Sequence, residues 1–389
     1  RKKVVPKHFQ KGAGARAQSP RRQGVQGRYP LQKERMKKKK YGKTIFNGSI
    51  LILSVGLLVY FCVSEDGLVD LASNIDEFRK EWLVLGFLGM LGDLVLDGWL
   101  IQLFTKSSAP GYRFRDAMKS GMVGHFYSAV TPFQSGGQPM QVYLMAKQGV
   151  DPGVSTAAMV QKFLVYQTCL TIYSAAAILL RFSFFSQSLP GGVLGLAVVG
   201  FIIQGAVIGG LVLFSFNRTV THRIVSWFCA VLAKLRLLHD YEGTIRRIET
   251  QLEYFHESNA ELFRKKKLLV SSCVLTFLQQ TSLFSVSYCV YRAFGLSGAS
   301  AVDMICAQAF VTMVSCMVPL PGAAGASEGS FYVFFSMFFT SATIKPATLL
   351  WRIITYYSVI LITAPFSRIT RKMQESAELS KEGSPGEKL

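Results

Sequence analysis

Thr131-Pro132-Phe133-Gln134-Ser135-Gly136-Gly137-Gln138-Pro139 interrupts one apolar stretch of this chain. Val318-Pro319-Leu320-Pro321-Gly322-Ala323-Ala324-Gly325-Ala326-Ser327-Glu328 interrupts another. Hydrocarbon offers no partners to backbone N–H and C=O groups, so a helix broken at membrane depth persists only where protein or a wet cavity satisfies the freed groups. Two such breaks at corresponding places in two halves of one chain point to a transport site. Prolines end the arms of each break, and Gly136-Gly137 and Gly322/Gly325 let backbone approach a ligand closely. Half-helix N-termini aimed into the membrane present N–H groups and partial positive charge to an anion such as a phosphate. A kinked helix packed inside a bundle would explain either break alone; the matching pair favours a site.

Outward from the breaks, six segments are long enough to span as helices, approximately 45–63, 82–104, 154–180, 193–216, 268–292 and 346–366. The acidic loop 64–81 reads as external, whereas Lys106, Arg113, Arg115, Lys147, the basic 217–267 connection, Arg368 and Arg371 read as cytoplasmic. Residues 117–146 then enter and leave from inside, with arms of about 117–130 and 139–146 that are each too short to span. Residues 303–343 enter and leave from outside. The expected fold is an all-α polytopic membrane protein: about six spanning helices plus two re-entrant broken-helix hairpins in an inverted-topology repeat. Its parts are a basic disordered tail (1–44), a first membrane half (45–216), an amphipathic cytoplasmic connection (217–267), a second half (268–367) and a polar C-terminal tail (368–389), with both termini inside.

Composition agrees with a membrane chain: of 389 residues, 50% are hydrophobic and 17% charged. Half of the formal net charge of +20 lies in residues 1–35, where eleven Lys/Arg face the single acid Glu34. That distribution suits positive-inside topology and a solvated tail, not nucleic acid. Met36-Lys37-Lys38-Lys39-Lys40 has the look of a natural start, so 1–35 reads as an upstream extension. The seven cysteines fall in or beside apolar segments without C-x-x-C or His spacing, and neither disulfide nor metal is expected. Neither G-x-x-x-x-G-K-[ST] nor H-E-x-x-H is present, and no cofactor or catalytic residue is expected.

A charge at the bilayer centre costs roughly 2.5–3.5 kcal/mol on insertion scales, so ionisable residues within spans face the interior and serve a pathway or a partner. Asp93 and Asp97 lie four apart on one helical face, as a coupling site or a structural ion pair. By depth, Asp97 and Lys162 are placed to pair. Glu328 sits at the second break, and Arg352, with Tyr356 one turn on, lies in the final span. Arg352 is expected either to bind a lipid phosphate or to hold Glu328, its planar fork suiting both. His125 reads as hydrogen-bonded packing and Gly205-x-x-x-Gly209 as a helix-packing motif.

These residues resemble the lysylphosphatidylglycerol synthase transmembrane-region family, also called flippase-like proteins, from about Ile45 to Arg371. The resemblance rests on T-P-F-x-x-G-G-Q-P-M-Q-V-Y from Thr131 to Tyr143, Gln161-Lys162-Phe163 with Tyr166-Gln167, P-x-P-G-x-x-G-x-S-E from Pro319 to Glu328, and Trp351-Arg352 with Tyr356-Tyr357. The variant resembles Gram-positive members, with Gln138 and Gln141 where some relatives place acidic and Arg residues. It implies a stand-alone translocating half, without the soluble synthase domain, in a bacterial cytoplasmic membrane.

The substrate-binding set expected from breaks and spans together is Thr131, Pro132, Gln134, Ser135, Gly136, Gly137, Gln138, Lys162, Gly322, Gly325, Ser327, Glu328, Arg352 and Tyr356. The expected activity is movement of a lipid with a polar or phosphate headgroup: aminoacyl-phosphatidylglycerol, a glycolipid or a polyprenyl-linked sugar. The alternatives are ion-coupled transport of a small solute through Asp93 and Asp97, or a non-catalytic membrane partner of a separate lipid- or glycan-modifying enzyme. The expected partners are thus a membrane lipid and such an enzyme.

Overall fold

The computed structural model describes residues 78–188, 191–234, 241–315, 318 and 320–368. The expected 45–63 span, the basic N-terminal tail, and Cys62, Cys316 and Pro319 lie outside them. Every regular element among the described residues is helical: α1 (Lys80–Lys106), α2 (Phe114–Val130), α3 (Gly137–Lys147), α4 (Pro152–Ser188), α5 (Gly191–Phe216), α6 (Arg218–Lys234), α7 (Tyr241–Arg264), α8 (Lys266–Ala293), α9 (Ala301–Ser315) and α10 (Ala326–Phe335). A final helix, α11, runs Ile344–Arg368. Five helices are long and apolar enough to cross a membrane: Lys80–Lys106, Pro152–Arg181, Val199–Phe216, Lys266–Ala293 and Ile344–Arg368. They coincide with five of the six expected spans. This is an all-α polytopic membrane protein.

The order of elements repeats. A long helix, a broken pair and another long helix (α1, α2/α3, α4) are followed later by the same succession (α8, α9/α10, α11). The two leading helices, α1 and α8, pack along their lengths. Small residues make that approach possible: a Cβ at Gly89 would stand 2.9 Å from the Ser282 carbonyl oxygen. Ser282 Oγ in turn donates to the Gly89 carbonyl at 2.8 Å. Helices in lipid gain nothing from excluding apolar surface, so close backbone contact and interhelical hydrogen bonds bind them. Gly205 and Gly209, in contrast, have no atom within 4 Å of a built Cβ and are exposed. Among the described residues nothing packs on that motif, because α5 turns the face away from its described neighbours.

The second half is anchored by aromatics. Phe335, Phe331 and Trp351 stack in series, with ring centroids 4.1 Å apart for Phe331–Phe335 and 4.7 Å for Phe331–Trp351. These contacts join α10 to α11 and so fix two neighbours, Glu328 and Arg352, across the same interface. The connection between halves is two amphipathic helices. Helix α7 docks on the start of α4: Gln251 Oε1 accepts from the Gly153 N–H at 2.8 Å. Further along, Asn259 is buried between Gln161 and the Ser215 carbonyl, to which its Nδ2 donates at 2.7 Å. Helix α6 leaves Ile224, Trp227 and Phe228 exposed beside Arg218 and Arg223.

Candidate functional site

The two breaks share one turn and differ at its exit, where Gly136 (φ −78°) leads into α3 and Gly325 (φ 81°) into α10. After α2, Pro132 opens a short 3-10 turn in which Phe133 (φ 53°) and Gln134 (φ 55°) take left-handed angles. After α9, Pro321 opens one in which Gly322 (φ 59°) and Ala323 (φ 51°) do so. In both, the next helix starts five residues beyond the proline, at Gly137 and at Ala326. A left-handed non-glycine residue costs roughly 1–2 kcal/mol. Three of the four left-handed positions within the turns carry a side chain, so surrounding contacts must hold them. The two turns also touch each other, and the second rests against α2.

The freed backbone groups find partners. In the first break, Thr131 Oγ1 donates to the Tyr127 carbonyl at 2.6 Å and accepts from the Gly136 N–H at 2.9 Å. The Ala129 carbonyl accepts from Tyr356 Oη at 3.0 Å, a bond from the other half of the chain. Arms α2 and α3 then meet side by side, with Gly137 buried. A Cβ on Gly137 would strike Ser128 Oγ and stand 2.7 Å from the Gly124 carbonyl oxygen. Gly137 therefore seals the arms together rather than leaving room beside the break. Gln138 is half-buried, while Pro132, Gln134 and Ser135 are exposed at the tip.

In the second break the partners are charged. Glu328 Oε2 accepts from the Gly325 N–H at 2.7 Å, capping α10. Its other oxygen, Oε1, receives Arg352 Nε at 2.6 Å, and a terminal nitrogen of Arg352 donates to the Gly322 carbonyl at 2.9 Å. Both side chains are nearly buried, 10% and 7% exposed. Arg352 also lies 4.6 Å from the Tyr356 ring centroid. Of the two roles expected for Arg352, holding Glu328 is the one this geometry displays. Gly322 needs its missing side chain, because a Cβ there would enter the Tyr356 ring. Ser327 Oγ donates to Ser315 Oγ at 3.0 Å, tying the two arms. Gly325 is exposed, opposite in character to the buried Gly322. Just past Arg352, α11 widens into a π-helical turn, Ile353–Tyr357, which carries Tyr356 toward α2.

A second polar cluster lies between α1, α2, α4 and α8. Asp97 Oδ1 and Lys162 Nζ are 2.5 Å apart, and Asp97 Oδ2 stands 3.4 Å from His125 Nε2. Asp93, one turn away and 6% exposed, is within reach of the Gln279 side chain. Lys162 thus belongs with Asp93 and Asp97, while the rest of the expected set gathers at the two breaks. Reading the sequence did not bring in Gln279, nor the pairing of Arg181 with Asp303, whose atoms are 2.7 Å apart across α4 and α9. A local signal was available only for Asp303, an acid in the first turn of an apolar helix.

Comparison with known proteins places the chain. Residues 48–363 match the pattern of the Lysylphosphatidylglycerol synthase TM region family. A UPF0104 membrane protein of Archaeoglobus fulgidus is 24% identical over 302 residues, 74% of this chain and 86% of that protein. A UPF0104 membrane protein of Methanothermobacter thermautotrophicus is 23% identical over 242 residues, 61% of this chain and 70% of that one. The match covers both breaks, both charged clusters, four of the five described spans and most of the fifth, so the chain belongs to the lysylphosphatidylglycerol synthase TM region family.

Proposed function

We propose that this protein moves a lipid with a polar or phosphate headgroup across the cytoplasmic membrane, as a carrier rather than a catalyst. The observation that carries the reading is the meeting, within the helix bundle, of two broken helices that share one turn. Their joint tip is amphiphilic: Gln134, Ser135 and Gly325 are exposed beside Phe133 (60%) and Leu320 (41%). Polar groups there suit a headgroup, and the apolar rim suits the start of an acyl or prenyl chain. In this reading the first hairpin (117–146) enters from the cytoplasm and the second (303–343) from outside, the halves form an inverted repeat, and both termini are inside. The lipid is made by a separate enzyme, and aminoacyl-phosphatidylglycerol, a glycolipid and a polyprenyl-linked sugar are the classes to offer.

The test is translocation of headgroup-labelled lipids of these three classes by purified protein in vesicles. Gln134→Leu and Ser135→Val change exposed side chains at the tip, the second also losing the exposed bond from Ser135 Oγ to the Pro132 carbonyl; they should slow transfer at least several-fold with little shift in thermal unfolding. Transfer at the parent rate in both would remove the tip from the pathway. Topology has its own check. Single cysteines at Ala109 and Lys147 should react from the cytoplasmic side, and those at Ser297 and Ser341 from outside. Opposite-side reaction within either pair would make that hairpin a full span.

A further inference from the structure

The cluster between α1, α2, α4 and α8 is built around an odd charge. Asp93 and Asp97 contribute two carboxylates to one face of α1, and Lys162 supplies one ammonium, which meets Asp97 Oδ1. With His125 neutral the group carries one net negative charge in a buried setting; with His125 as imidazolium it carries none. A buried unpaired charge is among the costliest features a protein interior can hold. The atoms that a proton would join already face each other. Asp97 Oδ2 and His125 Nε2 are 3.4 Å apart, and neither has another hydrogen-bond partner among the described residues.

We propose that Asp93, Asp97, His125 and Lys162 form a one-proton binding site, and that its proton clamps the first broken helix, α2, onto α1. A hydronium ion at the exposed edge of the His125 ring breaks an O–H bond, leaving water, as its proton forms an N–H bond on the imidazole; the imidazolium then donates Nε2–H to Asp97 Oδ2, and release reverses the step. Access and burial are divided to suit this. The His125 side chain is 26% exposed although its Nε2 is buried, whereas the Asp97 side chain is 6% exposed. The clamp acts on backbone because α2 lies directly against the acid: a Cβ on Gly121 would sit 3.1 Å from Asp97 Oδ2. The titratable groups that meet His125 are Asp97 and Asp93 from α1 and Lys162 from α4; α8 adds the uncharged Gln279 to Asp93. Helix α2 ends at Val130, so loss of the proton loosens the arm that carries the first tip. That this motion gates a lipid rests on the function proposed above; the proton site itself does not.

The experiment follows thermal unfolding of the full chain in lipid nanodiscs from pH 6 to pH 8.5, comparing parent, Asp93→Asn and His125→Gln. Asp93→Asn removes the odd charge, so the cluster is neutral without a proton. The other four histidines are unchanged in Asp93→Asn, so the difference between that variant and the parent isolates the cluster. Relative to Asp93→Asn, the parent should lose about 3 °C of unfolding temperature as pH rises. His125→Gln should sit low across the whole range. A parent and Asp93→Asn with the same pH profile would overturn the proposal, including in the event that His125→Gln fails to fold. In vesicles, the parent's lipid transfer should depend on pH and that of Asp93→Asn should not. A pH-dependent parent profile, absent in Asp93→Asn, with no transfer of any lipid offered would leave the proton site standing and sink the lipid reading.

Discussion

The two broken helices share a turn and differ in what secures it. The first is held by neutral groups: Thr131 bridging two freed backbone atoms, Gly137 pressed against Ser128 and Gly124, and Tyr356 reaching over to the Ala129 carbonyl. The second is held by a buried ion pair, Glu328 with Arg352, that grips the backbone at Gly325 and Gly322. Charge-assisted bonds in a low-dielectric interior are stiffer than neutral ones. We read the second break as the fixed side and the first as the adjustable one. The adjustable arm is also the one whose helix meets Asp97 through His125.

The contrast breaks most readily at the ion pair. Glu328→Gln or Arg352→Met alone leaves one buried charge and should cost about 3–5 kcal/mol in detergent unfolding, while the double change recovers a good part. Losses that simply add would mean that the pair does not secure the second turn. Next come the glycines. Gly322→Ala combines a left-handed φ of 59° with a clash into Tyr356 and should cost about 3 kcal/mol. Gly137→Ala meets only the packing of the arms and should cost about 2 kcal/mol. Equal effects at the two would erase the difference in stiffness inferred here.

Smaller effects sharpen the neutral side. Thr131→Val keeps the shape but strips two backbone groups of their partner, for about 1–2 kcal/mol. Tyr356→Phe removes a single bond between the halves, for about 1 kcal/mol, and should raise the reactivity of a cysteine placed at Phe133. Unchanged reactivity there would show that Tyr356 does not hold the tips together. Gly137→Val would drive a wedge between α2 and α3, against Ser128 and the Gly124 carbonyl. For that reason the exposed Gln134 and Ser135 make cleaner probes of transport.

Much of this was legible residue by residue. Long apolar runs placed five described spans to within a few residues, because hydropathy and helix length are set locally by the thickness of hydrocarbon. Proline and glycine marked both breaks, because they change backbone preferences wherever they stand. Family membership was legible for the same reason: it rests on short runs around those breaks. Less was written locally about partners. The residues of the Asp97–Lys162 contact are 65 positions apart, and those of the Tyr356–Ala129 bond 227. Spacing on one helix says which face a side chain occupies, not which helix covers that face.

Sequence by itself therefore determined the class of protein, the positions of the described spans and the existence of two interrupted helices. Only the tertiary structure decided that the interruptions share one turn and touch, that Arg352 is committed to Glu328 and Gly322, and that His125 faces an acid. The physical reason is one of range. Burying backbone in lipid is a cost each segment meets alone, while neutralising a buried charge requires atoms that only packing brings within 3–4 Å.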